Sequence, residues 1–137
     1  MGPNVLKFEK ILSNFFKRKA VCVSSGTSAL HIALESLGLK KGDEVILSSL
    51  NYIAALQAVT AAGLTPVLCD IRLSDFSLCT NDLKKKLTKK TRVIMPTHYG
   101  GNAGNIDEIQ NRLRELDQQI LDIGFQIPLH DFLSFVS

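Results

Sequence analysis

The sequence predicts an α/β fold: a mainly parallel sheet with helices on both faces. Three observations carry that expectation. Short apolar runs alternate with segments of helical periodicity along the chain. The turns between them are short, so each helix has to cross back over the sheet in the right-handed βαβ manner. The run Val45-Ile46-Leu47 is apolar throughout, as strands covered on both faces are.

The elements follow in order. Val5, Phe8, Leu12 and Phe15 recur at helical spacing, with Lys7, Glu9, Lys10 and Asn14 on the opposite face. This aromatic stripe predicts a docking helix, and Lys17-Arg18-Lys19 suits its C-terminus. Ala20 to Ser24 reads as a first, buried strand. A helix then runs to Leu37, with Leu30, Ala33, Leu34 and Leu37 on one stripe and Gly38 as its stop. Glu44–Leu47 is the second strand, and Tyr52 to Ala62 an Ala-rich, mostly buried helix closed by Gly63. Pro66–Cys69 is the third strand, followed by an irregular stretch from Arg72 to Cys79. Thr80 is expected to cap the next helix, with Asn81 and Asp82 in its first turn. Arg92–Pro96 is the fourth strand. Asn105 and Glu108 have capping-box spacing, ahead of a last stripe of Ile106, Ile109, Leu113 and Leu116.

Composition narrows the class. A chain of 137 residues with 45% apolar content can build a real core, which excludes global disorder. The net charge of +3 is modest. Lys84, Lys85, Lys86, Lys89 and Lys90 carry no interleaved aromatics and read as a solvated face, not a nucleic-acid surface. Cys22, Cys69 and Cys79 form no pairing framework, which suits a reducing cytoplasm. His31, His98 and His130 show no metal-ligand spacing. Lys7, Glu9 and Lys10 interrupt the first apolar cluster, so no secretory signal is expected there, and no apolar window is long enough for a membrane span.

The chemistry concentrates in Ser24-Ser25-Gly26-Thr27-Ser28, a hydroxyl-bearing turn between the first strand and its helix. A helix start directs unpaired N–H groups at one point and favours an anion. The alternative is that Ser25 or Thr27 only caps the helix. In a parallel sheet ligands bind beyond the carboxyl ends of the strands. Ser25–Ser28, Asn51–Tyr52, Asp70 and His98–Tyr99 fall at those ends.

The runs FEKILSNFFKRKAVCVSSGTSALHIAL, GLKKGDEVILSSLNYIAALQAV, AGLTPVLCDI and LTKKTRVIMPTHYGGNAGNIDEI resemble, in order and spacing, the DegT/StrS family of sugar aminotransferases. The resemblance spans Gly2 to about Ile120. It implies a partial fold-type I large domain over residues 1–120 and pyridoxal 5'-phosphate as cofactor. It further implies a nucleotide-sugar substrate, an amino-acid donor and a homodimer. In the family the turn matching Gly26, Thr27 and Ser28 holds the cofactor phosphate, and the aromatic matching Tyr52 stacks on the pyridine ring. For Tyr52 the alternative is a core aromatic at a helix start. Asp70 and His98 are expected to be structural.

The departures bear on catalysis. Asp122 comes about three positions too early to match the aspartate that pairs with the pyridine nitrogen in the family. Nothing here matches the family's Schiff-base lysine. Residues 121–137 read as a divergent tail, from a truncation or a shifted frame, and the chain is expected to be inactive alone and prone to associate. A non-catalytic phosphate-binding or dimerisation module is the other reading. A dinucleotide-binding oxidoreductase is weakened because no G-x-G-x-x-G follows the first strand.

Overall fold

The computed structural model describes residues 2–102, 107–109 and 111. Helix α1 (Pro3–Phe16) comes first, followed by α2 (Gly26–Ser36), strand β1 (Glu44–Ser48), α3 (Ile53–Ala61), β2 (Thr65–Cys69), α4 (Thr80–Lys86) and β3 (Thr91–Met95). A short 3-10 turn over Tyr99–Gly101 closes the described segment. The strands form one parallel sheet in the order β2-β1-β3, with Ile46 paired to Val67 on one side and to Ile94 on the other.

Both faces are covered, as the apolar runs require. Val45, Leu47, Val93 and Met95 pack beneath α2 and α3, against Leu34, Ala55, Ala58 and Val59. Ile46 and Cys69 face the other way, onto Leu78, Leu83 of α4 and Ile109. Small alanines let α3 lie close to the sheet. Gly38 (φ 62°) and Gly63 (φ 71°) take left-handed backbone just past α2 and α3, which lets the chain turn back at once into the strands.

One expected strand is absent from the sheet. Ala20 to Ser24 has no ladder partner among the described residues, and Val21 is 63% exposed. Alternation of apolar residues favours an extended chain, but a strand also needs a neighbour. Here side chains of α1 take the backbone donors instead: Ser13 Oγ accepts from Ala20 N–H and Glu9 Oε1 from Cys22 N–H, both at 2.8 Å. The sheet among the described residues therefore has three strands where the sequence suggested four.

The cap of α4 also differs. Cys79 holds the N-cap position and Thr80 is the first helical residue, with its hydroxyl donated to Glu108 Oε1 at 2.6 Å. Glu108 also receives Arg72 Nη1 at 2.8 Å, and Arg72 is in turn bonded to Asp75 and Ser77. This network folds the stretch after β2 into a compact turn closed by the antiparallel bridge Ile71–Leu78. The capping-box residue Asn105, the stripe residues Ile106, Leu113 and Leu116, and the tail from 121 lie outside the described residues.

Candidate functional site

The start of α2 shows how the hydroxyl turn is used. Ser25 is the N-cap, and its Oγ accepts from Ser28 N–H at 3.1 Å. Ser28 Oγ lies 2.9 Å from Ser25 Oγ and 3.4 Å from Ser24 Oγ. The first intrahelical bond runs from Ala29 N–H to the Ser25 carbonyl at 3.0 Å. Capping thus accounts for the Ser28 amide and leaves two donors in front of it. The N–H groups of Gly26 and Thr27 have no acceptor among the described residues. A Cβ built on Gly26 would meet nothing within 4 Å, so the approach to both amides is open.

Tyr52 stands at the head of α3. Its own N–H is held by Asn51 Oδ1 at 2.7 Å, which fixes the turn out of β1. The side chain is 78% exposed, so Tyr52 is no core aromatic. An extended backbone at Tyr52 swings the ring out of the helix it precedes. α2 packs against α3, the helix that begins just after Tyr52.

Asp70 and His98 sit at the exits of β2 and β3. Asp70 is spent on its turn: Oδ1 accepts from Ile71 N–H at 3.2 Å, and its carbonyl accepts from Cys79 N–H at 2.8 Å. Its own N–H goes to Asp82 Oδ2 at 2.9 Å. That bond, more than the nearby lysines, holds the Asp82 carboxyl below the usual carboxylate range. His98 is half-buried and its carbonyl accepts from Gly101 N–H at 3.2 Å, closing the 3-10 turn. Cys69 is buried beside Asp82, and desolvation pushes its thiol up to about 12, so it is a packing group and not a nucleophile. No cluster of His, Cys, Asp or Glu among the described residues could hold a metal ion.

Sequence reasoning missed a polar pair beneath the site. Ser48, fully buried at the end of β1, accepts Thr97 N–H at 3.3 Å, and Ser49 N–H is donated to the Cys69 carbonyl at 2.8 Å. The signal was available in Pro96: a proline just past a strand removes a ladder donor, and the neighbouring strand then has to supply something else.

Fold and site together define a parallel α/β domain with an open helix start at α2 and an exposed aromatic at the head of α3. The chain belongs to the DegT/DnrJ/EryC1/StrS aminotransferase family, whose sequence model matches residues 1–121. Among curated relatives, GDP-perosamine synthase of Caulobacter vibrioides is 40% identical over 110 residues, 80% of this chain and 30% of that protein. The 3-oxo-glucose-6-phosphate:glutamate aminotransferase of Bacillus subtilis is 36% identical over 126 residues, 91% of this chain and 29% of that protein. The candidate sugar aminotransferase Spr1654 of Streptococcus pneumoniae, solved in its PLP form, superposes with a TM-score of 0.79 at 33% identity, covering 85% of this chain and 30% of that one. The same protein is solved in a PMP form. Pyridoxal phosphate is thus the family cofactor, and the chain spans about 30% of the length of the curated relatives it matches.

Proposed function

We propose that the chain is the N-terminal part of the cofactor domain of a pyridoxal-phosphate aminotransferase that aminates a keto group on a nucleotide-linked sugar. The observation that carries this is the pair of amides at Gly26 and Thr27 with no acceptor among the described residues, open to solvent at the start of α2, which packs against the helix that Tyr52 precedes. The Gly26 and Thr27 N–H groups and the Ser28 hydroxyl would hold the cofactor phosphate, with the dipole of α2 favouring its charge. Tyr52 would cover one face of the pyridine ring. When bound, the cofactor supplies a carbonyl for imine formation and an electron-withdrawing ring.

Turnover further needs an amine for that carbonyl and a carboxylate at the ring nitrogen. No segment of this chain matches the family residues that serve those roles, so the 137-residue chain should bind without turning over. A cytoplasmic setting accords with three unpaired cysteines. No described helix is long and apolar enough to cross a membrane. A second reading, a non-catalytic phosphate-binding or dimerisation module, has one observation in its favour: α1 buries none of its residues and exposes Phe8, Ile11 and Phe15.

Absorbance titration with pyridoxal phosphate, followed by borohydride, tests the proposal. The expected result is weak, saturable binding with no stoichiometric reduced lysine. Gly26→Leu should abolish binding by filling the open approach while leaving the fold intact. A single reduced lysine with transaminase activity refutes the inactive reading; full binding by Gly26→Leu refutes the site.

A further inference from the structure

The exits of all three strands are joined by two adjacent serines. In the ladder with β2, Ser48 pairs with Cys69; on the other side the register ends at Leu47 and Met95. Pro96 follows and brings no N–H. The next donor, Thr97 N–H, reaches across to the Ser48 hydroxyl at 3.3 Å in place of a backbone acceptor. Ser49 N–H bonds the Cys69 carbonyl at 2.8 Å on the opposite side. Tyr52 stands four residues beyond Ser48 and His98 one residue beyond Thr97.

We infer that Ser48 is a positioning residue for the ring end of the cofactor site, an inference that rests on the proposed function above. Its hydroxyl holds the exits of β1 and β3 at a fixed separation, and so sets Tyr52 against the His98 turn. The phosphate end is independent of it. The Gly26–Ser28 turn is placed by α2, which packs against α3 with Leu34 in the core on that face of the sheet. Nothing in that packing passes through the Ser48–Thr97 bond. The two ends of one ligand should therefore respond differently to the loss of one hydroxyl.

The test compares pyridoxal phosphate with inorganic phosphate as probes of the full chain, by calorimetric titration, in wild type, Ser48→Ala, Ser48→Cys and Ser48→Thr. Cysteine keeps the volume of the buried site and is a poor acceptor, so it isolates the hydrogen bond from any cavity. Ser48→Ala and Ser48→Cys should raise the Kd for pyridoxal phosphate about tenfold, the low end of what an unsatisfied buried N–H costs. The Kd for phosphate should change less than about twofold, and Ser48→Thr should behave as wild type. Amide exchange at Thr97 should quicken in the first two variants alone. A parallel fall in both affinities, or unchanged pyridoxal phosphate binding in Ser48→Cys, overturns the inference and leaves the cofactor reading standing. A wild-type chain that binds pyridoxal phosphate no better than phosphate overturns the ring contact itself, and the inference with it.

Discussion

Between Glu44 and Met95 each strand is flanked by packed helices, and Val45, Ile46, Leu47 and Val59 are removed from water almost completely. Between Gly2 and Ser24 no residue is buried, although that arm is as apolar as the sheet region. Phe15 is 76% exposed, Leu6 56% and Ile11 55%. Within the arm, α1 is tied to the segment that follows it by directional bonds, Ser13 and Glu9 accepting from the Ala20 and Cys22 amides, where the sheet region is held by buried area. Hydrophobic periodicity thus specifies which face of an element is sticky. It does not specify what that face meets, and the two regions differ in that one respect.

The largest expected effect comes from pressing on this difference. Leu47→Ala removes a buried side chain between α2, α3 and the sheet and should cost about 2–5 kcal/mol in urea denaturation. Phe15→Ala should cost less than about 0.5 kcal/mol, since an exposed ring has little packing to lose. Equal losses would mean that the arm is part of the core in solution.

Association should sharpen the same contrast. The exposed side chains of α1 form an apolar surface of the kind that proteins bury in contacts. Sedimentation of the wild-type chain should show mass rising with concentration, and Phe8→Ser with Ile11→Ser should reduce it without lowering the melting temperature. A wild-type chain that stays monomeric at high concentration would argue that the α1 surface is tolerated in water.

How much could be read without coordinates follows the same division. The three strands in the sheet, their parallel sense and α2, α3 and α4 were legible, because each has both a local pattern and a neighbour within the described chain. The Ala20–Ser24 strand was not, because its pattern is extended but its pairing is not encoded locally. Its amides go to Glu9 and Ser13, and no periodicity in the sequence points to that. The Gly26–Ser28 turn was legible as a helix start. The division of labour in it was not: which amide Ser25 caps depends on a rotamer. Tyr52 as an exposed residue could not be told from a core aromatic by spacing. Glu108 as the shared acceptor for Thr80 and Arg72 joins residues 28 and 36 positions apart, beyond any local rule.

That polar network supplies a further prediction, of intermediate size. Arg72 bridges Asp75 and Glu108 while about a quarter exposed, so solvent weakens each pair. Arg72→Ala should cost about 1–2 kcal/mol, mostly by leaving Glu108 and Asp75 short of a donor. Its effect should be local, seen as faster amide exchange at Ile71 and Cys79, with the α2–α3 face unchanged. Uniform acceleration over both faces would show that the two cores unfold as one and that the network has no separate role.

The smallest effect expected is acid sensitivity confined to the same side. Hydrogen bonds from Ser77, then Arg72, hold the Asp75 carboxyl below its ordinary range, and the Asp70 amide does the same for Asp82. Both folded-state values are depressed, so each group binds its proton more readily when the chain is unfolded. The stability they contribute is present above the unfolded value, about pH 4, and is lost as pH falls through the lower folded values. Both carboxylates are only partly buried, so solvent screening keeps the contribution small. The melting temperature should be flat from pH 7 to about pH 5 and decline below pH 4. Asp82→Asn should flatten that decline in part, because an amide still accepts from Asp70 but no longer titrates. The start of α2 has no carboxylate in its first turn, so binding of phosphate there should follow the ligand's own ionisation and not this transition. Loss of phosphate binding in step with the acid decline would tie the two faces together and end the comparison drawn between them.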